Sequence, residues 1–555
     1  MEPVLSKLVL IGTPSISVLV LASFFLDPVN LPKLLILSIF GFPSLLLIIF
    51  FTREKLLKEF RLISIIILIF IVQSLASSAF SQKAFVSTFY GENGRNTGLL
   101  TYLCLCSMFL AALTIKSRHQ FQHLVSGFLF VALVNIAYSF LVLTTGKDPI
   151  PWSNSYKTIL GTFGNPNFLS SFLGISSSIF AIYTLDKTVP RIYRGIGLIL
   201  TPVSLFLVFK TNSLQGFLIS ALTLSLLLMM WVRKSSISKI NFFLIPSFLI
   251  TGVTAILGML QMGPLKEYLY KDSVSFRGEY WQAGINMANN SPWVGVGFDS
   301  YGDLFRQFRD SSALIRPGVD VTTNTAHNVF IDILASGGYP LFLAYFAIQL
   351  IAAISALKAI RKIKSFDPTF SALFLIWIGY QAQSLISINQ IGLAIWGWVS
   401  TAALIAYSKL ILQTDIYLES TSMKQKKTNI QVSTHPLSGT IVISGMVLGF
   451  LVAAPLVLAE ANWRNSLEKG SLPAIEKNIG AFPKVSARYQ FGIQHLGNNQ
   501  FGELAYKYAK EALLFNPNDY QTWRLLLQLP LTTQSEKQTA RANLNRLDPQ
   551  NPEWK

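Results

Sequence analysis

An all-α, polytopic integral membrane protein with about thirteen transmembrane helices is the fold class this sequence predicts. Three observations carry that expectation. Of 555 residues, 51% are hydrophobic and only 13% charged, where a soluble protein carries roughly 25% charged residues. Apolar runs such as LLILSIFGFPSLLLIIFF (34–51) and LISIIILIFIVQSLA (62–76) reach or approach the ~20 residues needed to cross a hydrocarbon core of about 30 Å. Runs of this kind recur down to residue 459.

The expected spans are 8–25, 34–51, 62–79, 98–115, 122–145, 168–184, 195–209, 214–232, 242–262, 328–357, 370–387, 390–412 and 440–459. The first is read as a span and not as a cleavable signal peptide. MEPVLSKLVLIGTPSISVLVLASFF lacks a small-residue cleavage site and further spans follow it. Cys104 and Cys106 lie two apart in one span, about 200° apart around a helix, too divergent for a disulfide.

A net charge of +18 would suggest nucleic acid in a soluble protein. Here the basic residues gather in short loops: REKLLKEFR (53–61), KSRHQFQH (116–123), RKSSISK (233–239) and KAIRKIK (358–364). That is the pattern of cytoplasmic loops under the positive-inside rule, with membrane lipids and not nucleic acid as the partner. With the N-terminus in the cytoplasm, these loops, KTVPRIYR (187–194) and SMKQKK (422–427) all fall on the inner side. Segments 81–98, 145–167, 210–216 and about 263–327, with everything beyond 460, then face outward.

Two domains are expected: a transmembrane domain over 1–459, with its large outward loop, and an extracytoplasmic helical tail over 460–555. The tail shifts to helix formers, FGELAYKYAKEALLFNPNDYQTWRLLLQL. Pro483, Pro517 and Pro549 recur about 34 residues apart, and Ala505, Tyr508, Ala509 and Ala512 share one helix face. This resembles a tetratricopeptide repeat, an ordinary helical hairpin being the alternative.

The outward loop carries the first candidates. SFRGEYWQAGINMANN has helical spacing that places Arg277, Trp281, Ile285 and Ala288 on one face, and SPWVGVG ends it. A guanidinium there suits phosphate, because its planar donors bind two oxygens at once. The competing reading is an interfacial arginine paired with Glu279 or Asp272. His327 opens the next span in AHNVFIDILASGG. A neutral imidazole can take a proton from a hydroxyl, with Asn328 orienting it or a substrate; a capping histidine is the alternative. Arg95, Asn165, Asn167, Gln215, Asn389 and Gln390 all fall at outward span ends and would line one chamber together. Asp332 is an ionisable group inside a span, a functional suspect by position.

GTFGNPN, the element from Arg277 to Gly297 ending in SPWVGVG, TAHNVFIDILASGG and QSLISINQIGLAIWGW resemble the O-antigen ligase/polymerase family of bacterial envelopes, over roughly residues 80–410. The resemblance implies a GT-C-like, all-helical glycosyltransferase of the bacterial cytoplasmic membrane. It would move a glycan from an undecaprenyl-pyrophosphate donor to a hydroxyl of a lipid, glycan or protein acceptor, without metal ion or cofactor. Arg277 and His327 would be catalytic, Arg277 on the pyrophosphate and His327 on the acceptor hydroxyl. Arg95, Gln215, Asn328, Trp281, Asn165, Asn167 and Gln390 would bind substrate. One departure stands out: many members carry an arginine in a Ser-Arg-Gly element where this chain has SLQG with Gln215.

Ligase, polymerase and protein O-oligosaccharyltransferase share these motifs and differ in acceptor. A membrane transporter would instead show inverted repeats and ion ligands at mid-membrane, and a scaffold would display its tail to another envelope protein without chemistry.

Overall fold

The computed structural model of the protein describes residues 2–21, 24–150, 154–234, 238–269, 272–420 and 436–554. Every regular element among them is helical. The principal helices are α1 (Glu2–Val18), α2 (Asn30–Leu47, continued to Glu59), α3 (Arg61–Ala79), α4 (Leu99–Ala112), α5 (Arg118–Thr145), α6 (Pro166–Leu185), α7 (Arg191–Lys210), α8 (Leu214–Arg233) and α9 (Asn241–Met259). They continue with α10 (Asp272–Asn290), α11 (Tyr301–Phe308), α12 (Val329–Lys362), α13 (Pro368–Ser384), α14 (Ile391–Ser420) and α15 (Ser438–Lys469). The tail adds α16 (Leu472–Ile479), α17 (Ser486–Asn498), α18 (Gly502–Phe515), α19 (Tyr520–Gln528) and α20 (Gln534–Leu547).

Ten of these helices are long and apolar enough to cross a membrane. Each of the thirteen expected spans coincides with a helix, but three are shorter: α1 and α13 have 17 residues and α4 has 14. The first departs furthest from expectation, since α1 ends at Val18 and not near 25. At that end the Lys33 ammonium of α2 donates to the carbonyls of Ser17 and Leu19 at 3.0 and 2.9 Å, and the Asp27 carboxylate accepts the backbone N–H groups of Val29 and Asn30 at 2.9 and 3.0 Å where α2 starts.

The membrane-length stretch of α14 is buried throughout and packs against α1, α2, α4, α12 and α13. Its Trp398 sits among Phe70 of α3, Tyr102 and Phe109 of α4 and Tyr345 of α12, with ring centroids 5.4–6.3 Å apart. Helices in lipid gain nothing from hiding apolar surface, so such packing and close backbone approach hold them. Between α2 and α15 a Cβ on Gly449 would sit 2.2 Å from the Ser38 carbonyl oxygen, so only glycine permits that crossing.

The basic loops share one face. Glu2 pairs with Lys55 and Lys116 at 2.9 and 3.0 Å, Lys116 with Glu59 at 3.1 Å, and Arg118 with Asp367 at 3.3 Å. Lys234 donates to the carbonyl of Ile363. The 422–427 loop lies outside the described residues. Cys104 and Cys106 are buried free thiols.

On the opposite face, α10, α11 and the start of α12 form a small subdomain around Tyr280, Met287, Tyr301 and Phe305. The tail rests on it, with Asn516 Nδ2 donating to Asp303 at 3.2 Å and α20 meeting α11. Ala505, Tyr508, Ala509 and Ala512 are buried on α18. α15 runs unbroken past residue 459, so the tail's first helix continues the last membrane helix.

Candidate active site

Three chain segments meet above the membrane helices: the 91–98 turn, the 295–302 loop and the 323–328 entry to α12. Asp299 is the joint. Its carboxylate accepts the backbone N–H groups of Glu92 and Thr97 at 2.9 and 3.0 Å and the Thr97 hydroxyl at 2.7 Å. It also pairs with Arg95 Nη2 at 3.2 Å. Arg95 Nη1 donates to the Asn324 carbonyl, so the guanidinium links all three segments.

SPWVGVG and ASGG dock on each other backbone to backbone. The N–H groups of Val296 and Gly297 donate to the carbonyls of Ala335 and Ser336, both at 2.9 Å. Tyr339 N–H returns to the Pro292 carbonyl at 2.9 Å. Gly295 and Gly338 both have positive φ, and a Cβ on either would fall 2.3–2.4 Å from the facing backbone. Ser77 of α3 donates to Ser336 O at 2.6 Å, and Ser81, just beyond α3, to Val296 O at 2.9 Å. These two motifs are therefore structural: they fix where α10 ends and α12 bends.

His327 is held by its neighbours. Its N–H donates to Thr325 Oγ1 at 2.8 Å, and the Asn328 side chain caps α12 by accepting from Phe330 and Ile331 at 3.0 and 3.3 Å. The carboxylate of Asp332 turns back to accept Ala326 N–H at 2.8 Å. The cap is thus Asn328, which leaves the imidazole free of that task. It lies beside the Tyr280 ring, centroids 5.9 Å apart. Tyr280 stands three residues beyond Arg277 on α10 and is anchored by Tyr301, whose hydroxyl donates to the Tyr280 carbonyl.

Arg277 and His327 therefore converge. Burial lowers His327 to a pKa of about 4, and the positive charges of Arg277 and then Arg95 push it the same way. Burial also lowers the Arg277 guanidinium from its ordinary value, with Tyr280 acting against it. No carboxylate among the described residues pairs with Arg277, and both candidate partners are taken. Asp272 pairs with Arg316, and Glu279 accepts from Ser312 Oγ at 2.8 Å. Nε of Arg95 and Nε1 of Trp281 are buried donors without a partner among the described residues. Two cations, spare donors and a neutral imidazole make a site for an acceptor-rich anion next to a base.

The remaining expected residues have other attachments. Asn165 caps α6 by accepting Asn167 N–H at 2.8 Å, Ser213 Oγ donates to Asn167 at 2.7 Å, and Gln215 donates to Ser171 at 2.9 Å. Gln390 donates to Asn30 at 3.2 Å, Asn30 reaches the Gly94 carbonyl at 2.6 Å, and Asn389 donates to Tyr102 at 3.1 Å. None of these hydrogen bonds reaches Arg277 or His327. Trp281 is half-buried in the α10–α11 core.

Sequence reasoning passed over Tyr280, Thr97 and Asp299. GVGFDS displayed the aspartate, but nothing local tells an aspartate that joins segments about 200 residues apart from one in an ordinary turn. No group of three or more His, Cys, Asp or Glu side chains among the described residues could hold a metal ion.

A family model described as O-Antigen ligase matches residues 198–346. That stretch contains Gln215, Arg277, Trp281, His327, Asn328 and both docked glycine motifs. No curated protein matches the chain. With ten membrane-length helices among the described residues, the chain is a multi-pass membrane protein, and over residues 198–346, the stretch at the centre of the site, it is similar to the O-antigen ligase family.

Proposed function

We propose that the protein transfers a glycan from an undecaprenyl-pyrophosphate donor to an acceptor hydroxyl at the outer face of the bacterial cytoplasmic membrane. One observation carries the reading: Arg277, unpaired with any carboxylate among the described residues, faces a neutral His327 beside Arg95. In the reaction the acceptor oxygen forms a bond to the anomeric carbon of the donor sugar. The bond from that carbon to the phosphate oxygen breaks, the pyrophosphate leaves with the electron pair, and the acceptor proton passes to His327.

Arg277 binds the leaving group through two donors and stabilises the charge that develops there. The donor also tunes the base. Arg277 and Arg95 hold His327 down, and an anion between them offsets that repulsion, so the imidazole becomes a better proton acceptor once the donor is bound. Gln215 carries no charge and donates to Ser171, so in this reading Arg95, which also pairs with Asp299, supplies the second positive charge.

The loop-and-tail face is then the outer one, the basic face and the N-terminus are cytoplasmic, and residues 460–555 form an accessory helical module. That module offers its surface to an acceptor or an envelope protein. The test uses purified protein in proteoliposomes with a lipid-linked oligosaccharide and a lipid-anchored acceptor. Transfer by the native protein and its loss in R277A and H327A support the reading; equal transfer by all three overturns it.

A further inference from the structure

On the basic face, away from the site, α8, α9, α12 and α13 enclose a cavity of about 190 Å³. That is more than ten times the ~15 Å³ that admits one water. Its wall is apolar, with Met230, Ile245, Ile363, Phe370 and Phe374 among the lining residues, and Arg233 and Lys234 stand at its mouth. The cavity exists because α9 stands off from the bundle. Gly258 is the only buried residue among its described side chains, and its contacts are with α8 and the short helical segments on either side of it.

We propose that this cavity is a binding site for an anionic glycerophospholipid, with an acyl chain between α9 and α13 and the phosphate at Arg233 and Lys234.

Charge complementarity selects this occupant. Arg233 has no ion pair or hydrogen bond among the described residues. Lys234 spends one donor on the Ile363 carbonyl. Burial, followed by the charge of Arg233, lowers the Lys234 ammonium from its ordinary value, so the two cations lie close together without compensation. The one carboxylate in the wall, Asp367, is engaged elsewhere: it pairs with Arg118 at 3.3 Å, accepts from the Tyr407 hydroxyl at 3.0 Å and caps α13. The segment that contributes Ile360, Ile363 and Ser365 also carries Lys358, Arg361, Lys362 and Lys364. An apolar slot between helices with unpaired cations at its interfacial end matches one lipid, phosphate and chain together. A free phosphate would leave the slot empty, and a zwitterionic lipid would bring a cation to two cations.

The test is native mass spectrometry of the full-length protein after exchange into vesicles of phosphatidylglycerol or phosphatidylcholine. We expect one phosphatidylglycerol retained per protein, at least fivefold over phosphatidylcholine. R233Q, which breaks no ion pair or hydrogen bond among the described residues, should lose most of that preference. M230W, which fills the slot, should lose the bound lipid while leaving net charge unchanged. Equal retention of the two lipids overturns the proposal, as does phosphatidylglycerol retention unchanged in both variants. Neither residue lies at the Arg277–His327 site, so this outcome is independent of the transfer assay.

Discussion

Arg309 and Asp548, 239 residues apart in sequence, form a fully buried ion pair in which one guanidinium nitrogen lies 2.9 Å from both carboxylate oxygens. Arg306 reaches the same carboxylate at 3.2 Å, with its guanidinium 4.3 Å from the Tyr520 ring centroid. Both arginines also donate to the Val319 carbonyl, at 3.0 and 2.9 Å. The tail thereby grips the loop that carries the site. Removing one member strands buried charge, so D548A should weaken the docked state by about 3–5 kcal/mol. Limited proteolysis in detergent should show tail fragments from D548A under conditions where the native protein stays whole.

Arg277 and His327 should separate binding from chemistry. R277K keeps the charge but loses the paired donors, and we expect transfer to fall at least tenfold, with R277A lower still. H327A should lose on the order of 10²–10⁴-fold in turnover while donor affinity changes little. Both follow from transfer rates measured over a range of donor concentration, and unchanged melting curves show that the variants fold.

His327 also gives the folded state a pH signature. Its folded pKa of about 4 lies below the ordinary value of 6.5, through burial and then the charges of Arg277 and Arg95. Between those values the unfolded chain binds more protons, so this contribution to stability is complete above 6.5 and is lost as pH falls toward 4. Thermal unfolding from pH 4 to 8 should show a steeper acid-side loss in the native protein than in H327Q. Parallel curves would contradict the depressed imidazole.

The glycine dock should tolerate no side chain. G295A and G338A combine a positive φ with a Cβ under 2.5 Å from backbone, so each should cost more than about 1 kcal/mol. We expect a lower melting temperature and lower transfer, because the dock sets the distance between α10 and α12.

Much of this architecture was legible from the chain. A membrane helix needs an unbroken apolar run, so composition alone marks each span, and the helices lie where those runs are, α1 excepted. There Lys33 takes the carbonyls of Ser17 and Leu19, side-chain bonds that hydropathy does not register. Arg277 and His327 stand out because charge and imidazole are rare in such sequence, and the structure brings the two together beside Tyr280. Asn165 and Asn328 were read as substrate ligands and act as helix caps, a use of asparagine at span ends that the ligand reading does not exclude. The role of Asp299, and of Arg306 and Arg309 under the tail, was hidden. YGDLFRQFRD reads as an amphipathic surface helix, and only docking against residues more than 200 positions away buries its arginines.

At 1.5 Å per residue the 32 residues of α15 measure about 48 Å, against about 30 Å of hydrocarbon. A rigid post some 18 Å tall therefore carries the tail, and its height above the headgroups follows from helix rise, with no flexible tether to vary it. Whatever approaches the site from the loop-and-tail face meets a platform of fixed elevation and bearing, so lengthening that post by a few residues would both lift and rotate the platform.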